Sequence, residues 1–220
     1  MVITVGELRK AFRETVVKDL AEYGFRFDAR TEWAKKKNNP NGHTRMYLHC
    51  LDYKPSRIEF RLLFEFFLPE LHAEMKKFFQ FRGMELHGKI CFMLGEADFH
   101  PKTRDLPPKI RGNASHIVTD RETLKEGLSD CKNVVNEILP SLFHFANLSS
   151  FQEFLLNNKE DIGRLPILVP SLLASKLKGF KELKDLIGFL WEKWDLTNQD
   201  NDHNEKTILL EVLKYAEIGL

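Results

Sequence analysis

Asp52 and the run Glu59-Phe60-Arg61 are the residues best placed for metal-assisted chemistry on a phosphate. Two carboxylates on neighbouring strands can hold Mg²⁺ while a cation beside them steadies the phosphate. The cation here is Arg rather than Lys, and Asp52 abuts a turn signal at Tyr53-Lys54-Pro55-Ser56. A metal-dependent nuclease or other phosphate-acting enzyme is therefore an alternative reading and not the leading one. A second group lies in Glu96–Asp105, where Asp98 and His100 could flank a metal or act as base and orienter. Arg104 could hold an anionic ligand there. Two further ligands at fixed spacing are missing, so a polar surface loop is the default for this stretch and no metal site is assigned.

The third group is a binding surface. Arg45, Tyr47, His49 and Arg57 fall on the polar face of a sheet, together with Arg26, Arg30 and Arg61. Basic and aromatic side chains on an open sheet can bind RNA through stacking and phosphate contact, which makes a nucleic-acid-binding regulator a second alternative. The same face carries Asp28, Glu32, Glu59 and Glu65, four negative charges against five positive ones. Cross-strand ion pairs on a solvated face explain that balance better. His144, among Leu142, Phe143, Phe145 and Ala146, is expected to be a satisfied histidine on a helix edge, and Trp191 to pack between helices.

The elements that must position these groups begin with a helix. Thr4 and Glu7 have capping-box spacing, and Val5, Leu8, Phe12, Val16, Leu20 and Tyr23 recur at helical intervals up to Gly24. A strand is expected over Phe25–Trp33, then a turn at Asn38–Gly42 led in by Lys35-Lys36-Lys37. Strands at Thr44–Leu51 and Arg57–Phe67 complete a meander, with Ile58, Phe60, Leu62, Phe64 and Phe66 alternating inward. Pro69 suits the first turn of a second helix, and Lys89–Leu94 a fourth strand. The stretch 95–115 holds Pro101, Pro107 and Pro108 with no periodicity, and such a loop is uncommon inside a compact domain. Thr119 and Glu122 suggest a second capping box ahead of Leu124, Leu128, Cys131 and Val135. Helices follow at 150–156, 166–178, 181–194 and 206–218, with a polar loop over 197–205.

The fold expected is α+β: an antiparallel meander of about four strands packed by helices, with a mainly helical C-terminal half. It is expected as one domain over 1–220, with 100–115 the one place where it could divide. The 220 residues suffice to bury a core without disulfides, and 18 Phe supply much of it. Net charge is +1, so no global field draws in nucleic acid or anionic lipid. Cys50, Cys91 and Cys131 are odd in number and sit in apolar-patterned stretches, which points to buried reduced thiols. The N-terminus lacks the charged-then-apolar pattern of a secretory signal, and no stretch is long and apolar enough to span a bilayer. A cytosolic protein that does not engage membrane is expected. Phosphate-loop, dinucleotide, nucleophile-elbow, H-E-x-x-H, C-x-x-C and EF-hand patterns are all missing, and no cofactor is expected.

The leading helix ending at Tyr23-Gly24-Phe25, followed by the Arg26–Trp33 segment and two more strands, resembles the bacterial domain-of-unknown-function 4304 family and its immunity-type relatives over residues 6–80. The resemblance implies a small cytosolic bacterial protein that neutralises a toxin by binding it. It supplies no catalytic residues. The leading expectation is thus a non-enzymatic interaction protein with a protein partner.

Overall fold

The computed structural model describes residues 3–38, 42–53, 55–95, 98, 115–158, 162, 167–197 and 202–218. Helix α1 (Val5–Thr15) is fixed at its start by Thr4. The Glu7 amide donates to Thr4 Oγ1 at 3.2 Å, and the Thr4 amide donates to Glu7 Oε2 at 2.8 Å. Two donors left over at the helix start are thereby satisfied. The expected single helix through Tyr23 is corrected: a 3-10 helix takes over at Val17–Tyr23. Thr15, Val16 and Val17 are three consecutive β-branched residues, which fit an α-helix poorly. Gly24 then turns the chain at φ 81, a region that favours glycine, and Phe25 enters the core.

Six antiparallel strands form one sheet. They are β1 (Arg26–Asp28), β2 (Trp33–Lys37), β3 (His43–Tyr53), β4 (Arg57–Phe67), β5 (Phe92–Gly95) and β6 (His116–Val118). The meander is as the sequence pattern indicates, but the strand expected over Phe25–Trp33 is two strands around a tight reversal. The Arg30 amide donates to Asp28 Oδ1 at 2.9 Å, and Glu32 adopts φ 57. The alternating parity of Phe25, Phe27 and Ala29 carries on into the turn, which hides the break. Lys35-Lys36-Lys37 are strand residues and not part of the turn after them.

Strand β4 pairs with β3 along its whole length. Its other edge is shared: β5 lies opposite Leu63–Phe66 and β6 opposite Ile58–Phe60. The chain leaves this edge after Gly95, opposite Leu63, and rejoins it at His116, opposite Phe60. Those points are about 10 Å apart along the strand. The 95–115 stretch is thus an excursion from one edge line. Most of it, with His100, Arg104 and the dividing point near 100–115, lies outside the described residues.

Among the described residues six α-helices follow β4: α2 (Pro69–Phe81), α3 (Arg121–Ile138), α4 (Leu148–Asn157), α5 (Leu168–Lys178), α6 (Phe180–Thr197) and α7 (Asp202–Ile218), with a 3-10 helix at Ser141–Phe145 between α3 and α4. Asp120 caps α3, one residue later than the Thr119 spacing suggests. Its Oδ1 accepts the amides of Glu122 and Thr123 at 3.0 and 2.9 Å. Helix α7 starts at Asp202, inside the expected polar loop. Among the described residues no helix is long and apolar enough to cross a membrane.

Ile58, Phe60, Leu62, Phe64 and Phe66 of β4 are at most 3% exposed and face the helices. Phe66 stacks on Phe92 at 4.9 Å, Phe92 on Phe151 at 5.0 Å, and Phe145 closes on Phe66 at 5.1 Å. Helix α3 comes so close that a Cβ on Gly127 would lie 3.0 Å from the Phe60 ring. One apolar cluster runs from Ile3 to Ala216.

The second half is tied in by a buried carboxylate. Glu74 of α2 is 4% exposed. Its Oε1 accepts Lys176 Nζ of α5 at 2.6 Å and the Tyr215 hydroxyl of α7 at 2.8 Å. Burial works to raise the Glu74 pKa, but the hydrogen bonds from Lys176 and Tyr215 outweigh it and hold the carboxyl below its ordinary value.

Three substitutions, followed by denaturant unfolding, check this packing. A Cβ on Gly42 would meet the Phe67 carbonyl oxygen at 2.7 Å, whereas one on Gly188, inside α6, meets nothing. Gly42→Ala is expected to cost about 1–3 kcal/mol and Gly188→Ala to add about 0.5–1 kcal/mol. Glu74→Ala, which strands Lys176 and the Tyr215 hydroxyl, is expected to cost about 3 kcal/mol.

Candidate functional site

Since the even residues of β4 face the core, the odd ones face outward. The helices with described contacts on the sheet sit on the inner side: α1 on β3, and α3 on β6. The register arranges the outer face in rows across the strands. One row holds Lys37, His43 and Phe67. The next holds Arg26, Lys35, Arg45, Glu65 and Met93. Beyond it Trp33 stacks on Tyr47 at 5.4 Å, and then come His49 with Arg61, Leu51 with Glu59 and Ile117, and Tyr53 with Arg57.

Arg45, Tyr47, His49, Arg57, Glu59 and Arg61 therefore share one face, as period-two alternation implies. Asp52 does not join them. It pairs with Ile58 and so points to the opposite side of the sheet, at its exposed end. Asp52 and Glu59 are split by the sheet, and the carboxylate pair of the nuclease reading does not form. Asp98 lies by the outer face: the Gly95 amide donates to its Oδ2 at 2.7 Å, and a Cβ on Gly95 would touch both that oxygen and Leu63. His100 and Arg104 are outside the described residues. Among the described residues no three His, Cys, Asp or Glu side chains gather as a metal site.

The charge balance expected for this face is also corrected. Arg30 and Glu32 fall in the β1–β2 turn, and Glu32 pairs with Arg9 of α1 at 2.8 Å. Lys35 and Lys37 take their places. Among the described strand residues the face has six cations (Arg26, Lys35, Lys37, Arg45, Arg57, Arg61) against three carboxylates (Asp28, Glu59, Glu65), with Asp98 beside Gly95 at its edge. The carboxylates are engaged locally. Glu65 faces Arg45 at 3.6 Å, Glu59 binds Arg57 at 2.8 Å, and Asp28 holds the Arg30 amide. Sequence reasoning missed Lys35 and Lys37 because they border a strong turn signal, although Trp33 and the buried Ala34 beside them mark a strand. Met93 and Ile117 sit on strands too short for alternation to show.

The surface is well ordered by its own contacts. The Arg45 guanidinium lies 4.6 Å over Trp33 and that of Arg57 5.0 Å over Tyr53. The Tyr47 hydroxyl donates to Met93 Sδ at 3.4 Å. Burial raises the Glu65 pKa, against the pull of Arg45 and Tyr47. Burial, then the Glu65 charge, raises that of Tyr47. Burial followed by Arg45, Lys37 and Lys89 lowers that of Lys35, so cations crowd this end of the sheet. At the other end an open cleft of about 260 Å³ is lined by His49, Tyr53, Glu59, Arg61 and Ser115. Leu51, Tyr53, Met93 and Ile117 are 42, 45, 41 and 53% exposed, all on this face.

No protein-family model matches the chain, and no curated protein and no solved structure matches it either.

His43 offers a test of the cationic end. It is 7% exposed, and burial followed by Lys35, Arg45 and Lys89 lowers its pKa to about 4. An unfolded histidine titrates near 6.5. Between those values only the unfolded chain takes up the proton, so stability is complete above about 6.5 and falls as pH drops towards 4. The stability difference between the native chain and His43→Leu should shift by on the order of 2 kcal/mol between pH 7.5 and 4.5. An unchanged difference in urea unfolding would show that His43 is not held neutral.

Proposed function

We propose that this is a non-enzymatic cytosolic binding protein of the immunity type, which docks a protein partner on the outer face of its sheet. The observation that carries the reading is the coincidence of Leu51, Tyr53, Met93 and Ile117, each more than 40% exposed, with the ordered Arg45, Trp33 and Tyr47 on one surface. Aromatic residues, Met and Arg are what protein interfaces favour. The excess of cations over carboxylates selects a partner whose docking surface is acidic. The resemblance of residues 6–80 to immunity-type proteins supports the same reading and rests on those residues alone.

Binding of nucleic acid is the second reading, favoured by the same cations. Single-strand binders present open rings to the bases, whereas Trp33 is occupied by Tyr47 and Arg45. The protein reading therefore has the better support.

The double variant Leu51→Lys/Ile117→Lys changes exposed positions only and should fold with an unchanged melting midpoint. In affinity capture from the native host, the unaltered chain should enrich an acidic protein that the double variant loses at least tenfold. Identical captured sets for the two, or no enriched protein at all, would reject docking on this face.

A further inference from the structure

The row Arg26, Lys35, Arg45 places three cations side by side on three adjacent strands. Like charges directly opposite each other destabilise a strand pair, and here the conflict occurs twice in succession. Strand spacing puts the three within about 10 Å. Arg26 and Lys35 are exposed and contribute little to the core. Glu65, the next residue along the row, is buried against Arg45 and Tyr47, with Arg45 between it and Lys35. Lys37 and Lys89 add to the crowding around Lys35. A fold that maintains this repulsion in its free state gains most when an anion covers it.

We propose that this row recognises a run of carboxylates on an acidic polypeptide segment of the partner, an inference that rests on the docking reading above. Two features choose carboxylates on a polypeptide over the phosphates of a nucleic acid. Trp33, beside the row, is covered by Tyr47 and by the Arg45 guanidinium, so it is not free to stack on a base. The row runs through Glu65 to the exposed apolar Met93, where a polypeptide side chain finds a contact.

Labelled deca-glutamate, an unlabelled dT decanucleotide and inorganic phosphate are suitable probes, titrated at low and moderate salt. Deca-glutamate should bind the full chain in a salt-sensitive manner, and Lys35→Glu should weaken it at least tenfold. The exposed Lys214→Glu on α7, which makes the same change in net charge, should leave it unaltered. Lys35→Glu sets a carboxylate between Arg26 and Arg45, so its melting midpoint should rise, and lost binding is then not lost folding. No binding of deca-glutamate, equal weakening by Lys214→Glu, a melting midpoint that falls, or tighter binding of the decanucleotide would each overturn the proposal. Phosphate competing as well as deca-glutamate would also overturn it, as a site for a single anion. If a captured partner depends on Ile117 but not on Lys35, the docking face stands and the carboxylate row fails. If deca-glutamate binds through Lys35 while no partner depends on Ile117, the row stands without the face.

Discussion

Strand β4 can be stable only if one of its faces is kept from water, and most of the architecture answers that requirement. Its five inward residues are almost wholly buried, and together they contribute on the order of 10 kcal/mol, comparable to the entire stability of an ordinary domain. Strands β3, β5 and β6 pair with its two edges, and α3 and the Phe92, Phe145 and Phe151 rings cover it. The opposite face has no such cover from the helices whose sheet contacts are described. Its composition is correspondingly different: guanidinium groups lie on rings, carboxylates pair beside them, and a few apolar side chains stay wet.

What could be read from the residues follows from the range of each signal. Helix α1 was legible because Thr4 and Glu7 act over three residues, and β4 because eleven residues of alternation leave one possible face for each side chain. The β1–β2 break was not legible, because the parity of Phe25, Phe27 and Ala29 runs on through a reversal that a single Asx turn produces. Strand β6 is three residues long and exists only because β4 offers it an edge.

The candidate site divides along the same line. That Arg45, Tyr47, His49 and Arg57 share a face follows from spacing within two strands whose registration a short turn fixes. The same alternation parts Asp52 from Glu59: Asp52 has the parity of Met46, Leu48 and Cys50, so the register that puts Arg45, Tyr47 and His49 beside Glu59 sends Asp52 to the other side. The row of Arg26, Lys35 and Arg45 lies further out of reach, because it needs two registers to be right at once.

The carboxylate of Glu74 takes its donors from positions 102 and 141 residues further along the chain. During synthesis it is made long before either donor leaves the ribosome. Until then its ion-pair partner within the same helix, Lys77, one turn further along α2 and 3.4 Å from Glu74 Oε2, is the one available. The full set of donors that fixes α2 to α5 and α7 therefore cannot close until Tyr215 has been made.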